Sequence, residues 1–168
     1  LGNGYAITAI LGRKEIMEVA QTSFISSTFW TERIGPSAAL KTLEVMEKNK
    51  SWDKITKIGK KIRNQIQEIS NKYQLKISQT GLSALTTIIF ESDNSIQYKT
   101  LISQEMLKKG YLAGNSIYVC TEHTEDIISG YLDAIEPIFC LISECENGRD
   151  VKELLEGPIC HNGFKRLN

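Results

Sequence analysis

Leu75-Lys76-Ile77-Ser78-Gln79-Thr80-Gly81-Leu82-Ser83-Ala84-Leu85-Thr86-Thr87-Ile88-Ile89-Phe90 is the stretch whose reading decides the fold. Leu75 to Ser78 and Leu85 to Phe90 are rich in β-branched and aromatic residues, and Gly81 marks a turn between them. The two strands are expected to pair antiparallel.

Upstream, Ser51 suits a helix N-cap, and Ile55, Ile58, Ile62, Ile66, Ile69 and Tyr73 recur at spacings of three and four. The opposite face carries Lys54, Lys57, Lys60, Lys61 and Arg63. No aromatic residues interleave with these cations for base stacking, so a solvated face is the better reading. Downstream, Ile96 to Lys109 reads as a second amphipathic helix, with Leu101, Ile102, Met106 and Leu107 inside and Gly110 at its C-terminal stop. Tyr111 to Ala113 and Ile117 to Cys120 read as two further short strands. Thr124 can cap a third helix, whose acidic first turn (Glu125, Asp126) complements the helix dipole and whose apolar residues are Ile127, Ile128, Leu132, Ile135 and Phe139. Helix, two strands, helix, two strands, helix describes an α+β layer, an antiparallel sheet covered by helices.

The chain has 168 residues, enough to bury roughly two-thirds of its unfolded surface. Its 20 basic and 20 acidic side chains cancel, which removes the electrostatic footprint of a nucleic-acid or anionic-membrane binder. No apolar run is long enough to span a bilayer, and no basic-then-apolar leader opens the chain, so a cytoplasmic location is expected. Cys120, Cys140, Cys145 and Cys160, with His123 and His161, show no zinc-ligand spacing, and no metal is expected. The first residue is Leu, so the chain is expected to be a piece of a longer polypeptide.

The first 50 residues have a different texture. Residues 5–11 suit a short buried strand, and Gly12-Arg13-Lys14-Glu15 turns into a helix with Ile16, Val19 and Ala20 inside. Residues 21–35 lack clean periodicity and read as an ordered loop, after which Pro36 suits the first turn of a helix. Ser26-Ser27-Thr28 carries hydroxyl and backbone donors suited to a phosphate dianion, although such a cluster is equally an ordinary loop.

Leu1 to Gly4, Gly12 to Met17, Ser27-Thr28, Gly35-Pro36-x-Ala38-Ala39, Gly110-Tyr111-Leu112-Ala113 and His123 to Ile127 occur together in one order. In that order and rough spacing, over residues 1 to about 142, the chain resembles the class III pyridoxal-phosphate-dependent aminotransferases, in particular their glutamate-1-semialdehyde 2,1-aminomutase-like branch. The resemblance implies the C-terminal portion of a fold-type-I (α/β with α+β) transferase, normally a homodimer acting on a small amino donor and acceptor. Residues 1–50 would end the large cofactor-binding domain, 51–145 would form the small α+β domain, and 146–168 a tail. It also implies pyridoxal 5'-phosphate as cofactor, held by a Schiff-base lysine preceding Leu1, so that no catalytic residue lies in this chain and the chain alone is inactive. Thr28 matches the threonine that reaches the cofactor phosphate of the other subunit, with Ser27 beside it.

Two departures favour an aminotransferase over an aminomutase. Trp30 to Arg33 stands where the aminomutase has a shorter turn, and Asn115 to Cys120 is shorter than its counterpart. Arg33 could hold a substrate carboxylate through its planar fork or form a surface ion pair, and Glu32 could meet a substrate amine or a local partner. His123 reads as a strand-end residue satisfying nearby backbone, not as a base. A reading of another class makes residues 51–145 a non-catalytic ligand-binding or dimerisation module, which does not require the Ser-Ser-Thr loop and Gly-Pro-Ser-Ala-Ala segment upstream.

Overall fold

The structure is a computed structural model that describes residues 1–25, 28–161 and 163. Its helices are α1 (Lys14–Met17), α2 (Ile34–Asn49), α3 (Ser51–Lys72), α4 (Ser95–Lys108) and α5 (Glu125–Glu146). Its strands are β1 (Ile77–Thr80), β2 (Leu85–Phe90) and β3 (Ser116–Tyr118). The chain divides into two compact units, Leu1–Trp52 and Asp53–Asn168.

In the second unit the strands form one antiparallel sheet in the order β1-β2-β3, with Ile77 opposite Phe90 and Thr86 opposite Ile117. Period-two alternation decides its faces: Thr86, Ile88 and Phe90 are buried, whereas Leu85 and Ile89 remain partly open to solvent. The buried face meets the isoleucine stripe of α3 (Ile62, Ile66, Ile69), the inner residues of α4 (Tyr98, Leu101, Ile102, Met106) and those of α5 (Ile128, Leu132, Ile135, Phe139) in one core. The Phe90 ring lies 5.5 Å from that of Tyr98 and 5.4 Å from that of Phe139, in edge-on and tilted contacts that favour the aromatic quadrupoles.

Three helices stop by the same device. At the end of α3, Gln74 takes a left-handed conformation (φ 56°), its N–H donates to the Asn71 carbonyl, and the Leu75 N–H donates to the Ser70 carbonyl. Gly110 after α4 and Gly148 after α5 repeat the pattern with φ of 85° and 110°. This motif satisfies carbonyls that a helix end would otherwise leave open. It also moves the first strand: Leu75 belongs to the helix stop, its carbonyl accepting from the Ser70 hydroxyl, so β1 begins at Ile77 and not at Leu75 as the sequence reading placed it.

Two expected strands do not form. Residues 111–113 lead irregularly into β3, because Ala84 to Phe90 has a single free edge and Asn115 to Val119 already takes it. Residues 5–11, expected as a buried strand, join no ladder among the described residues beyond the isolated Gly2–Tyr5 bridge, and Ile10 and Leu11 are exposed. Ile16 and Val19, expected to face inward, are 59% and 60% exposed, because α1 is a single turn continued only by a 3-10 segment (Glu18–Thr22) with no buried residue. Beyond α5 a short 3-10 turn (Val151–Glu153) leads into a segment docked on α4. There the Gln104 side chain donates to the Leu154 carbonyl and accepts from the Glu156 N–H, and the Cys160 N–H donates to the Thr100 hydroxyl. Phe164, Lys165 and Arg166 lie outside the described residues. No helix among the described residues is long and apolar enough to cross a membrane.

Buried Tyr98 donates its hydroxyl to the Glu146 carboxylate, and burial, reinforced by that hydrogen bond, pushes its phenol from 10.0 up to about 12. The native state therefore holds this proton more tightly than the unfolded chain. The corresponding stability is complete below pH 10 and is lost as pH rises from 10 towards 12. The urea midpoint should fall across that window and fall less steeply in Tyr98→Phe; parallel curves would show that Tyr98 does not carry the effect.

Candidate functional site

The first unit is built around the N-terminus of α2. Gly2 to Tyr5 makes a tight turn in which Asn3 (φ 48°) and Gly4 (φ 106°) both adopt positive φ and the Tyr5 N–H donates to the Gly2 carbonyl at 3.2 Å. An Asn-Gly pair is the usual solution for such a turn. The chain then passes so close to α2 that a Cβ on Gly35 would sit 2.7 Å from the Ala6 carbonyl oxygen. Hydrogen at Gly35 is what permits that approach.

Glu32 anchors the preceding turn. Its two carboxylate oxygens accept from the Ile34 N–H at 2.8 Å and the Gly35 N–H at 3.1 Å. An anion here satisfies open amides and complements the positive helix end. Pro36 has no N–H, and the Ser37 N–H already donates to the Arg33 carbonyl. The end of α2 thus has few donors left for a phosphate, and a phosphate contact would fall to the loop before it. Thr28 on that loop is exposed, and its hydroxyl has no hydrogen-bond partner among the described residues, so it fits a phosphate-donor role. Ser27 lies outside the described residues. Arg33 is the N-cap residue of α2; it is exposed and makes no ion pair among the described residues, which leaves its guanidinium open to an external anion. Replacing Glu32 with Ala should lower stability by about 1 kcal/mol, read from thermal melts. An unchanged melt would mean that the two amides find equivalent partners.

The second unit holds a pocket of about 230 Å³ beside the outer edge of β3, lined by Ile62, Tyr111, Ile117, Tyr118, His123, Ile128, Tyr131 and neighbouring residues. The Tyr111 and Tyr131 rings meet edge-on at 6.0 Å, and Gly130 leaves room for the Tyr111 hydroxyl, which would sit 3.0 Å from a Cβ there. The Tyr131 hydroxyl is buried without a hydrogen-bond partner among the described residues, and burial pushes its phenol well above the usual range. His123 accepts the Cys120 N–H on Nδ1 at 3.4 Å, and the Thr124 hydroxyl caps α5 by accepting from the Ile127 N–H.

Tyr131 was absent from the apolar face read from the sequence, although it lies three residues after Ile128 and four before Ile135, on their side of α5. Its pairing with Tyr111 across twenty residues of chain left no local signal. Among the described residues no cluster of three or more His, Cys, Asp or Glu side chains is placed to hold a metal ion.

The family description "Aminotransferase class-III" matches residues 1–128. The 3-aminobutyryl-CoA aminotransferase of Cloacimonas acidaminovorans is 30% identical over 144 residues, covering 80% of this chain and 34% of the relative. A glutamate-1-semialdehyde 2,1-aminomutase of Methanosphaera stadtmanae is 29% identical, covering 81% and 36%. The aminopentol aminotransferase of Sphingopyxis macrogoltabida is 24% identical, covering 94% and 36%. The chain thus spans about a third of the length of the curated relatives it matches. Among solved structures, the PLP internal aldimine form of the Sphingopyxis sp. MTA144 FumI protein superposes with a TM-score of 0.72 at 22% identity, covering 92% of this chain and 38% of that one. A transaminase with PLP bound superposes with a TM-score of 0.65 at 17% identity, covering 82% and 35%. These superpositions identify the fold as the C-terminal part of a fold-type-I transferase. With the match over residues 1–128, the chain belongs to the class III aminotransferases, a pyridoxal-phosphate-dependent family.

Proposed function

We propose that this chain is the C-terminal part of an aminotransferase that moves an amino group between small amino and carbonyl substrates, with pyridoxal 5'-phosphate as cofactor. One observation carries the reading: the exposed Thr28 hydroxyl, without a hydrogen-bond partner among the described residues, precedes a helix end whose first amides are already taken by Glu32, on a chain matched to this family from Leu1 onward. When bound, the cofactor supplies the electron sink for the carbon bearing the amine. The chain's own residues bind and orient. Thr28, with Ser27, donates to the phosphate, across a homodimer interface as the family resemblance implies. Arg33 pairs with a substrate carboxylate, and Glu32, while holding the turn through Ile34 and Gly35, has lone pairs left to receive a substrate amine.

Residues 1–50 close the large domain, 51–145 form the small domain and 146–168 the tail. Leu11, Phe24 and Trp30 are at least 80% exposed, which suits a surface covered by the rest of the polypeptide or by a second subunit. The longer Trp30–Arg33 turn and the shorter Asn115–Cys120 segment favour transfer between two molecules over the intramolecular transfer of an aminomutase. The lysine that holds the cofactor lies before Leu1 on this reading, so the 168-residue chain alone is inactive. Amino transfer should be assayed on the full-length polypeptide and on this chain side by side. Activity in the full-length polypeptide alone supports the proposal; activity in neither, or in the isolated chain, overturns it.

A further inference from the structure

Gly2 and Gly35 pinch the chain between them. A Cβ on Gly2 would lie 2.2 Å from the Tyr5 carbonyl oxygen and 2.8 Å from Ile7 Cγ2, and one on Gly35 would lie 2.7 Å from the Ala6 carbonyl oxygen and 3.4 Å from Ile7 Cβ. The nearest obstacles are backbone atoms, which cannot swing aside as a side-chain tip would. The hook from Gly2 to Ile7 is itself set by the positive φ of Asn3 and Gly4. On α2, the Gly35 N–H donates to the Glu32 carboxylate, which also accepts from the Ile34 N–H. Gly35 thus joins two pieces of chain far apart in sequence: the hook that follows Leu1, and the segment from Thr28 to Arg33 that precedes α2. Any larger residue at position 35 must push one from the other by roughly half an ångström or more to restore ordinary contact.

We infer that Gly35 is a positioning residue for the cofactor, a role that rests on the amino-transfer reading with the lysine before Leu1 and Thr28 at the phosphate. The hook then continues the backbone that carries the lysine, and the segment before α2 carries Thr28, so the close approach at Gly35 sets how these two holding groups are spaced along one subunit. With Thr28 acting across the dimer, the two groups serve different sites, and a methyl group at position 35 disturbs both. Binding groups must be held within about 0.5 Å of their productive places, a tolerance that the displacement uses up. Gly35 touches neither cofactor nor substrate; it acts through the backbone on either side of it.

Pyridoxal 5'-phosphate is titrated into the full-length polypeptide and its variants, with affinity read from the absorbance of the lysine-bound cofactor and folding from melts without cofactor. Gly35→Ala should bind roughly 10-fold more weakly than the wild type, since displacements of this order misplace groups that must act together. Ala39→Gly is the control: it weakens α2 through helix propensity and adds no atom at the approach, so its affinity should stay within about 2-fold of the wild type. Should Gly35→Ala not fold, Ile7→Ala takes its place; it strips the side chain packed on Gly2, loosens the hook, and should bind roughly 3-fold more weakly. Wild-type affinity in Gly35→Ala, or an equal loss in Ala39→Gly, would overturn the positioning role, as would wild-type affinity in Ile7→Ala where that variant stands in. A wild type that binds no cofactor would overturn the amino-transfer reading and the role of Gly35 with it. Weakened binding in Thr28→Ala but not in Gly35→Ala would overturn the role of Gly35 alone.

Discussion

Gly59→Ala should destabilise the second unit by about 3 kcal/mol, although alanine is the better helix former by about 1 kcal/mol. Gly59 is buried in the middle of α3, and a Cβ there would lie 2.0 Å from the Ser83 carbonyl oxygen and 2.4 Å from its carbon. The obstacle is backbone, which cannot swing aside as a side chain tip would. Ser83 cannot retreat cheaply either, because it lies in the β1–β2 connection, where the Leu85 N–H donates to the Leu82 carbonyl and the Thr86 hydroxyl points back to the Leu82 and Ser83 carbonyls. Either α3 lifts off the hairpin or the hairpin opens. Urea denaturation followed by circular dichroism reads the loss; a variant as stable as the wild type, or more so, would show that helix propensity outweighs the contact.

Phe139→Ala should cost about 3 to 5 kcal/mol, the range for removing a large aromatic group from a packed core. Phe139 is fully buried on α5 and leans on Phe90, which in turn meets Tyr98 of α4, so one ring ties two helices to the central strand. Phe139→Leu, which keeps most of the volume, should cost less than about 1.5 kcal/mol. If both variants lost the same stability, the aromatic contacts and not the filled space would be setting the cost. A loss below 1 kcal/mol for the alanine variant would show that the core collapses around the gap.

The helices were legible in the sequence because their periodicity is internal to each segment. Ile55 to Tyr73 reads as one face whatever surrounds it, and the positions marked as buried in α4 and α5 are largely the positions that are buried. Leu107 is an exception, 59% exposed near the end of α4, where the helix turns that position outward. Strands were legible only where a partner followed at once. The β1–β2 hairpin was read with the right antiparallel pairing, although β1 spans Ile77–Thr80 and not residues 75–78, whereas residues 5–11 and 111–113 have strand composition and no ladder to join.

The candidate site divides in the same way. The Gly-Pro helix start is a local pattern and was legible together with the family order; the Ser-Ser-Thr pattern is equally local, and of it the structure describes Thr28 alone. The capping by Glu32 depends on a carboxylate folding back on two amides, and the Tyr111–Tyr131 pocket depends on tertiary approach. Neither is written in any short window of residues. His123 was read as serving nearby backbone, and its Nδ1 does accept the Cys120 N–H.

The most direct test of the central claim is the affinity of the full-length polypeptide for pyridoxal 5'-phosphate, measured for the wild type and for Thr28→Ala. The wild type should retain the cofactor, and the variant should bind it roughly 10- to 100-fold more weakly, the loss expected for one hydrogen bond to a charged group. A wild type that binds no cofactor, or a variant that binds it as tightly as the wild type, would contradict the account.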